Sequence, residues 1–391
     1  MTVLQTLGMG YVALSVGFMS FKAVTTIANI QQRRKQKNLL NNNSEPFISI
    51  IVPVYNENKK DLYECLDSVC NNDYKNKEVY VINDGSTNQA TNQALKEYCA
   101  RFSNKKKLYY INLEHNVGKR EAMYKAIIKA KGEYLVVVDS DSVARDGNSL
   151  RELVKPFLDS KVDAVSGMTY AANEQTNTLT KMQAGRYALA FEMEKAGQAT
   201  YGAVTCCPGC YSAYRKSSVL KVLSEWRRMS TSYGDDRSLT RLVLHNGGQV
   251  RYASEAVAYT NVPENLKGFV KQQIRWKRSF FSEHYLLAKG WSKLNIMARI
   301  ELVWFLLVWV GGFAAKATIL YNLGAGNIGL VTGLSIYLAF SMVHYTYVLL
   351  RYAGTPRGLW GGLYGFLNDM TIEWLAFYSL ATLKNNNWGT R

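Results

Sequence analysis

With 47 Lys and Arg against 30 Asp and Glu, the 391-residue chain carries a formal charge of +17. It is long enough for one or two domains with cores of their own, which excludes a small stapled domain, while the charge suits nucleic acid, anionic lipid or a phosphate-bearing substrate without choosing among them. The six cysteines (Cys65, Cys70, Cys99, Cys206, Cys207, Cys210) lack paired spacing and only four histidines are scattered among them, so neither a disulfide framework nor a zinc site is expected.

Val3 to Ile30 is apolar with a single Lys22, and QQRRKQK follows at 31–37. The segment 1–30 is therefore predicted to be a transmembrane helix and 31–46 a basic linker on the cytoplasmic side, where Lys and Arg concentrate. A signal peptide would carry its charged block ahead of the apolar run.

From Phe47 the pattern alternates. FISIIVPVY, EVYVIND, KLYYINLE and YLVVVDSD are strand runs, separated by the helical stretches DLYECLDSVCN, ATNQALKEYCARF and KREAMYKAIIKAKG. Continuous β-branched runs between helices indicate a doubly wound α/β sheet with parallel strands, spanning 47–262. Ligands of such sheets bind beyond the strand carboxyl ends, which here carry Asn56 and Glu57, Asp84, then Asp139 and Asp141.

Residues 263–292 mix Lys and Arg with Phe, Trp and Leu at helical spacing, the composition of helices lying in a membrane interface. Two runs within 293–353, Met297 to Leu323 and Ile328 to Tyr352, are long enough to span. In 354–391 the apolar run Leu359 to Leu383 holds Asp369 and Glu373 near its middle. Full insertion would cost about 2.5 to 3.5 kcal/mol per charge, so an interfacial or re-entrant helix is expected. That topology also leaves Arg351, Arg357, Lys384 and Arg391 on the cytoplasmic side.

VVVDSDS (136–142) sets Asp139 and Asp141 at a strand end, where residues two apart on a strand share a face. Such a pair can hold a hard divalent metal ion together with diphosphate oxygens, although a strand-end turn explains the same tripeptide. Asp84 in INDGS suits a nucleoside base or ribose, with an Asp-Gly turn as the plain alternative. Lys119 and Arg120 suit diphosphate or acceptor contacts, or are simply solvated. YGDDRSLT (233–240) offers Asp235 and Asp236, either as the first turn of a helix or as a source of the base that takes a proton from an acceptor hydroxyl. Asp236 is the chosen base. QQIRW (272–276) adds Arg275 for phosphate charge and Trp276 as a sugar-stacking platform.

VPVYNE, INDGS, NVGKR, DSD, CCPGCYSAYR, GDDR and QQIRW occur in that order between 52 and 276. The succession resembles the processive family 2 glycosyltransferases: cellulose, chitin and hyaluronan synthases. The resemblance implies a GT-A fold with a mixed sheet, joined to transmembrane and interfacial helices, and inverting transfer from a UDP-sugar to a growing polysaccharide that is extruded across the plasma membrane. It implies Mg2+ or Mn2+ held by Asp139 and Asp141, and UDP contacts from Tyr55, Glu57, Asp84, Lys119, Asp139, Asp141 and Arg275. It further implies Asp236 as base, and Gly209, Asp235, Gln272 and Trp276 at the acceptor. The segments 175–199 and 262–281 and the terminal WGTR (388–391) look most like bacterial hyaluronan synthases, in which the last element closes over UDP through residues matching Trp388 and Arg391.

The implied partners are UDP-GlcNAc and UDP-GlcA, or another UDP-sugar, with the polymer and membrane lipid. A single leading helix is closer to the chitin oligosaccharide synthases, and CCPGC partly resembles a capsular glucose/glucuronic acid polymer synthase. A uronate site needs cations, and Lys119, Arg120, Arg237 and Arg278 are available. Nucleic acid is not an expected partner, because no zinc spacing or RNP-like aromatic motif is present. A non-catalytic membrane-bound carbohydrate-binding or nucleic-acid-binding protein is the alternative of a different class.

Overall fold

The computed structural model describes residues 3–37, 45–102, 107–231, 233–326, 332, 335, 339–340, 343–344 and 346–385. Its centre is an eight-stranded sheet of order β3-β2-β1-β4-β7-β6-β8-β5. The first half comprises β1 (Ile48–Val54), β2 (Lys77–Asn83), β3 (Leu108–Asn112) and β4 (Tyr134–Val137). These four are parallel, with Ile48 opposite both Lys77 and Tyr134. β1 and β2 are buried along their whole length, the condition that selects unbroken β-branched runs over alternating ones.

The second half is mixed. β7 (Ser212–Arg215) runs antiparallel to β4 and to β6 (Val162–Ala171), and β8 (Gln249–Thr260) lies parallel to β6 and antiparallel to β5 (Ser142–Ala144). Apolar cores cover both faces. One lies under α2 (Lys59–Cys70), α3 (Gln89–Phe102) and α5 (Gly147–Val154); the other lies under α4 (Lys119–Ile127), α8 (Lys216–Arg227) and α9 (Asp235–His245).

Between β6 and β7 the chain forms α6 (Thr178–Leu189), a π-helical stretch (Ala190–Lys195) and the short α7 (Ala196–Thr200). This unit meets the apolar helices. α1 (Val3–Lys37) packs on α7 and on α11 (Ile296–Gly324), and α10 (Leu266–Lys289) connects β8 to α11. Met9–Lys35 and Ile296–Thr318 are long and apolar enough to cross a membrane. The basic stretch expected to begin a linker at residue 31 instead completes α1, because Arg33 meets Glu192 of the π-helical stretch at 3.5 Å and lies over the Tyr252 ring.

The last apolar run is interrupted. α12 (Gly358–Met370) ends at Thr371, a 3-10 turn covers Ile372–Trp374, and α13 (Leu375–Ala381) follows. At the break the Glu373 carboxylate accepts from Trp309 Nε1 at 2.6 Å, Lys277 Nζ at 3.1 Å and Asn368 Nδ2 at 3.1 Å. A buried carboxylate with that many donors avoids most of the cost of an isolated one. Nothing is described of the Asp369 side chain.

Candidate active site

The rim is built at the carboxyl ends of β1, β2 and β4. Asn56 turns the chain out of β1 with a positive φ of 51°, and its Oδ1 accepts from the backbone N–H groups of Thr87 and Asn88 at 2.8 and 3.0 Å. That clamps the loop after β1 to the loop after β2. Gly85, at φ 64°, follows Asp84; a Cβ there would stand 2.2 Å from the His115 carbonyl carbon, so only glycine lets the 115–118 loop come so near.

That loop supplies the partners of Asp84. Its Oδ1 accepts from Val117 N–H at 2.8 Å and its Oδ2 from Asn116 Nδ2 at 3.3 Å. Burial raises the carboxyl above its usual range, and the backbone donors of Val117 and Gly118 oppose the shift. Tyr55 is half-buried at the end of β1, whereas Glu57 is buried and accepts from Ser140 Oγ at 2.9 Å. Glu57 therefore supports the acidic turn from beneath.

Asp139 and Asp141 are in a turn between β4 and β5, closed by Ser142 N–H donating to the Asp139 carbonyl at 2.9 Å. The expectation that they share a strand face is thus corrected: β4 ends at Val137, and turn geometry sets the two side chains. Ser142 Oγ lies 3.2 Å from Asp141 Oδ1. Asp139 is ion-paired with Lys119, the first residue of α4. Burial works against the Lys119 charge, but Asp139, with the fields of Asp235 and Asp236, holds the ammonium above its ordinary range. Gly209 closes over this pair, since a Cβ on it would lie 2.7 Å from Lys119 Nζ and 3.2 Å from either Asp139 oxygen.

Two carboxylates with room for diphosphate oxygens suit a hard divalent cation, and the cation already seated on Asp139 is a lysine ammonium. Among the described residues no cluster of three or more His, Cys, Asp and Glu side chains could hold a metal without such a ligand.

Asp235 and Asp236 form the first turn of α9, which starts after Gly234 at φ 76°. Their surroundings differ sharply. Asp235 is buried against Arg120 at 2.7 Å, and burial pushes its carboxyl up to about 6. Arg120 also donates to the carbonyls of Met229 and Thr231. The expectation that Asp235 meets an acceptor is corrected, because its carboxylate faces inward and ties α4 to α9. Asp236 is half-buried; its Oδ1 accepts from Arg237 N–H at 2.8 Å and its Oδ2 from the Cys206 thiol at 3.5 Å. Burial first, and the Asp236 charge second, keep that thiol protonated and thus a donor.

Beside Asp236 opens a cavity of about 580 Å³. Its inner wall includes Cys206, Arg237, Gln273 and Trp276, and it continues between α1 and α11 to Tyr11, Gly312 and Lys316. Trp276 faces Tyr187 at 6.2 Å between ring centroids, and the Arg275 charge is felt by the same Tyr187 hydroxyl. Of the two glutamines, Gln273 is buried in this wall, and Gln272 accepts from it at 3.5 Å. Tyr233 donates to the Leu383 carbonyl at 2.7 Å, and Arg278 to Thr382 Oγ1 at 2.8 Å. Both bonds anchor the chain just ahead of Trp388 and Arg391, which lie outside the described residues.

Several residues escaped the sequence reading. Cys206 had no signal apart from its place in CCPGC, and Lys195, which donates to the Cys206 carbonyl, had none. Lys22 of α1 and Glu301 of α11 form a buried ion pair, completed by Tyr201 and by Gln198 Nε2 at 3.2 Å. Opposite charges in two separate apolar runs were the available clue.

Comparison with known proteins agrees with this architecture. The glycosyl transferase family 2 model matches residues 49–223. A hyaluronan synthase of Streptococcus pyogenes serotype M1 is 34% identical over 356 residues, covering 88% of this chain and 83% of that protein. An N-acetylglucosaminyltransferase of Bradyrhizobium diazoefficiens is 33% identical over 359 residues, covering 88% and 72%. Among solved structures, the mannosyltransferase PcManGT from Pyrobaculum calidifontis, in complex with GDP-Man and Mn2+, superposes with a TM-score of 0.60 at 17% identity, over 93% of this chain and 99% of its own. The chain belongs to glycosyltransferase family 2, with a catalytic domain of GT-A fold.

Proposed function

We propose that the chain is a membrane-embedded, processive, inverting polysaccharide synthase that makes hyaluronan from UDP-GlcNAc and UDP-GlcA at the cytoplasmic face of the plasma membrane and passes it across the bilayer. The observation carrying this reading is the cavity that begins at Cys206 and Arg237, the neighbours of Asp236, and continues into the space between α1 and α11. A transferase releasing small products into water has no use for such a path.

In this account Asp236 takes the proton from the acceptor hydroxyl as that oxygen attacks the anomeric carbon. Its two oxygens are held by Arg237 N–H and the Cys206 thiol, so the carboxylate is oriented before substrate arrives. Asp84 and Tyr55 hold the nucleoside, and Glu57 supports the turn of Asp139 and Asp141. Lys119 and Arg275 counter the charge of departing UDP. Mg2+ or Mn2+ on Asp139 and Asp141, when bound, supplies further neutralisation of the diphosphate. Gly209, Gln272 and Trp276 form the acceptor side, with Trp276 stacking a sugar face at the cavity entrance. The tail bearing Trp388 and Arg391 covers UDP; the Tyr233 bond to the Leu383 carbonyl, a few residues ahead of it, supports this.

A chitin-type product from UDP-GlcNAc alone is the second reading, favoured by likeness to the rhizobial N-acetylglucosaminyltransferase. Incorporation by purified protein in detergent, with Mg2+ or Mn2+ and radiolabelled UDP-GlcNAc, separates the two. Hyaluronidase-sensitive polymer made only when UDP-GlcA is also present supports hyaluronan. Polymer from UDP-GlcNAc alone supports the chitin-type reading.

A further inference from the structure

Four cations were available from sequence to meet a uronate, and the structure occupies three of them. Lys119 is paired with Asp139. Arg120 is buried on Asp235 and two backbone carbonyls. Arg278 is buried, with its guanidinium on Thr382 Oγ1 at 2.8 and 3.1 Å.

Arg237 differs from all three. Its guanidinium is half-buried in the cavity wall next to the catalytic aspartate, and among the described residues it has no hydrogen bond or ion pair. It lies over the Phe280 ring, 5.6 Å from the guanidinium carbon to the ring centroid. Four other cavity cations have acceptors: Lys22 has Glu301, Arg186 has Glu194 at 3.5 Å, Lys277 has Glu373 at 3.1 Å and Lys195 has the Cys206 carbonyl; Lys316, at the far end of the cavity, lies over the Phe313 ring at 5.0 Å. Glu283, which feels the Arg237 charge, is taken by Arg241 at 2.7 Å.

The ring beneath Arg237 is itself packed. Phe280 stacks on His284 at 3.7 Å between centroids, and His284 Nδ1 lies 2.9 Å from the Phe280 carbonyl. Burial, reinforced by Arg237 itself, drives the imidazole down to about 3, so it adds no competing charge. A planar donor fork fixed on an aromatic ring, partly removed from water and without an anion, is suited to bidentate capture of a carboxylate.

We propose that Arg237 selects a uronic acid in the growing chain, gripping its carboxylate in the first sugars beyond Asp236. This rests on the processive-synthase reading and makes Arg237 the residue through which acceptor charge is sensed. A neutral sugar of the same shape leaves the guanidinium unsatisfied and is held less tightly.

The test uses the full chain in detergent with UDP bound. Titration calorimetry compares a tetrasaccharide of alternating N-acetylglucosamine and glucuronic acid with its carboxyl-reduced counterpart. The wild type is expected to bind the uronate form on the order of tenfold more tightly or better, as for other charge-assisted pairs. Arg237→Gln should bring the ratio near one, while Arg237→Lys, which keeps charge and loses the fork, should fall between. Equal affinities in the wild type, binding of neither sugar, or an undiminished preference in Arg237→Gln would each overturn the proposal. The underlying reading is judged separately: wild-type protein that makes no polymer from UDP-GlcNAc and UDP-GlcA in the incorporation assay rejects it whatever Arg237 does.

Discussion

The Cys206 thiol donates to Asp236 Oδ2 across 3.5 Å, and Cys207 N–H donates to Thr240 Oγ1 at 3.0 Å. Thr240 in turn donates to the Asp236 carbonyl at 2.7 Å. The CCPGC loop is thereby fastened to the first turn of α9 at the residue assigned as base.

Cys206→Ala removes the donor and should lower kcat about five- to tenfold, the usual weight of one hydrogen bond, with donor KM little changed. Cys206→Ser keeps a donor and should retain most of the rate. Steady-state kinetics of both variants check this, and equal losses in the two would point to packing instead.

Asp235 makes a prediction with a definite sign. Burial disfavours the charge and pushes its carboxyl up to about 6, well above its ordinary value. The folded state therefore binds more protons than the unfolded one between about 4 and 6. Stability from this group is present at low pH and is lost as pH rises through about 6. Asp235→Asn removes the titration, so the Tm advantage of wild type over variant should shrink as pH increases from 4 to 7, measured by thermal unfolding in detergent.

Lys22 and Glu301 test how the two apolar helices are joined. Glu301→Ala strands a buried ammonium and should destabilise the protein by about 3–5 kcal/mol. Lys22→Met combined with Glu301→Leu should recover much of that loss, since an apolar pair of similar volume replaces the ions. A double variant no better than Glu301→Ala in thermal unfolding would contradict this account.

The first four strands and the helices between them were legible because burial on both faces demands unbroken apolar runs, as in ISIIVPV. β7 was not: SAYR is four residues long, and only pairing with β4 and β6 makes it a strand. The DSD motif advertised its place beyond β4 but not its turn, which depends on Ser142 bonding back to Asp139. GDDR presented two equivalent carboxylates; Arg120, over a hundred positions earlier, is what turns Asp235 inward and leaves Asp236 beside Cys206. No local pattern encodes a partner so distant. The same holds for Arg237, whose neighbours Phe280 and His284 come from another helix.

Asp236→Asn tests the central claim most directly. In purified protein, sugar incorporation should fall at least about a hundredfold, the contribution expected of a general base, while UDP affinity by calorimetry stays within about twofold of wild type. Undiminished incorporation by that variant would contradict the assignment of the base and the mechanism built on it.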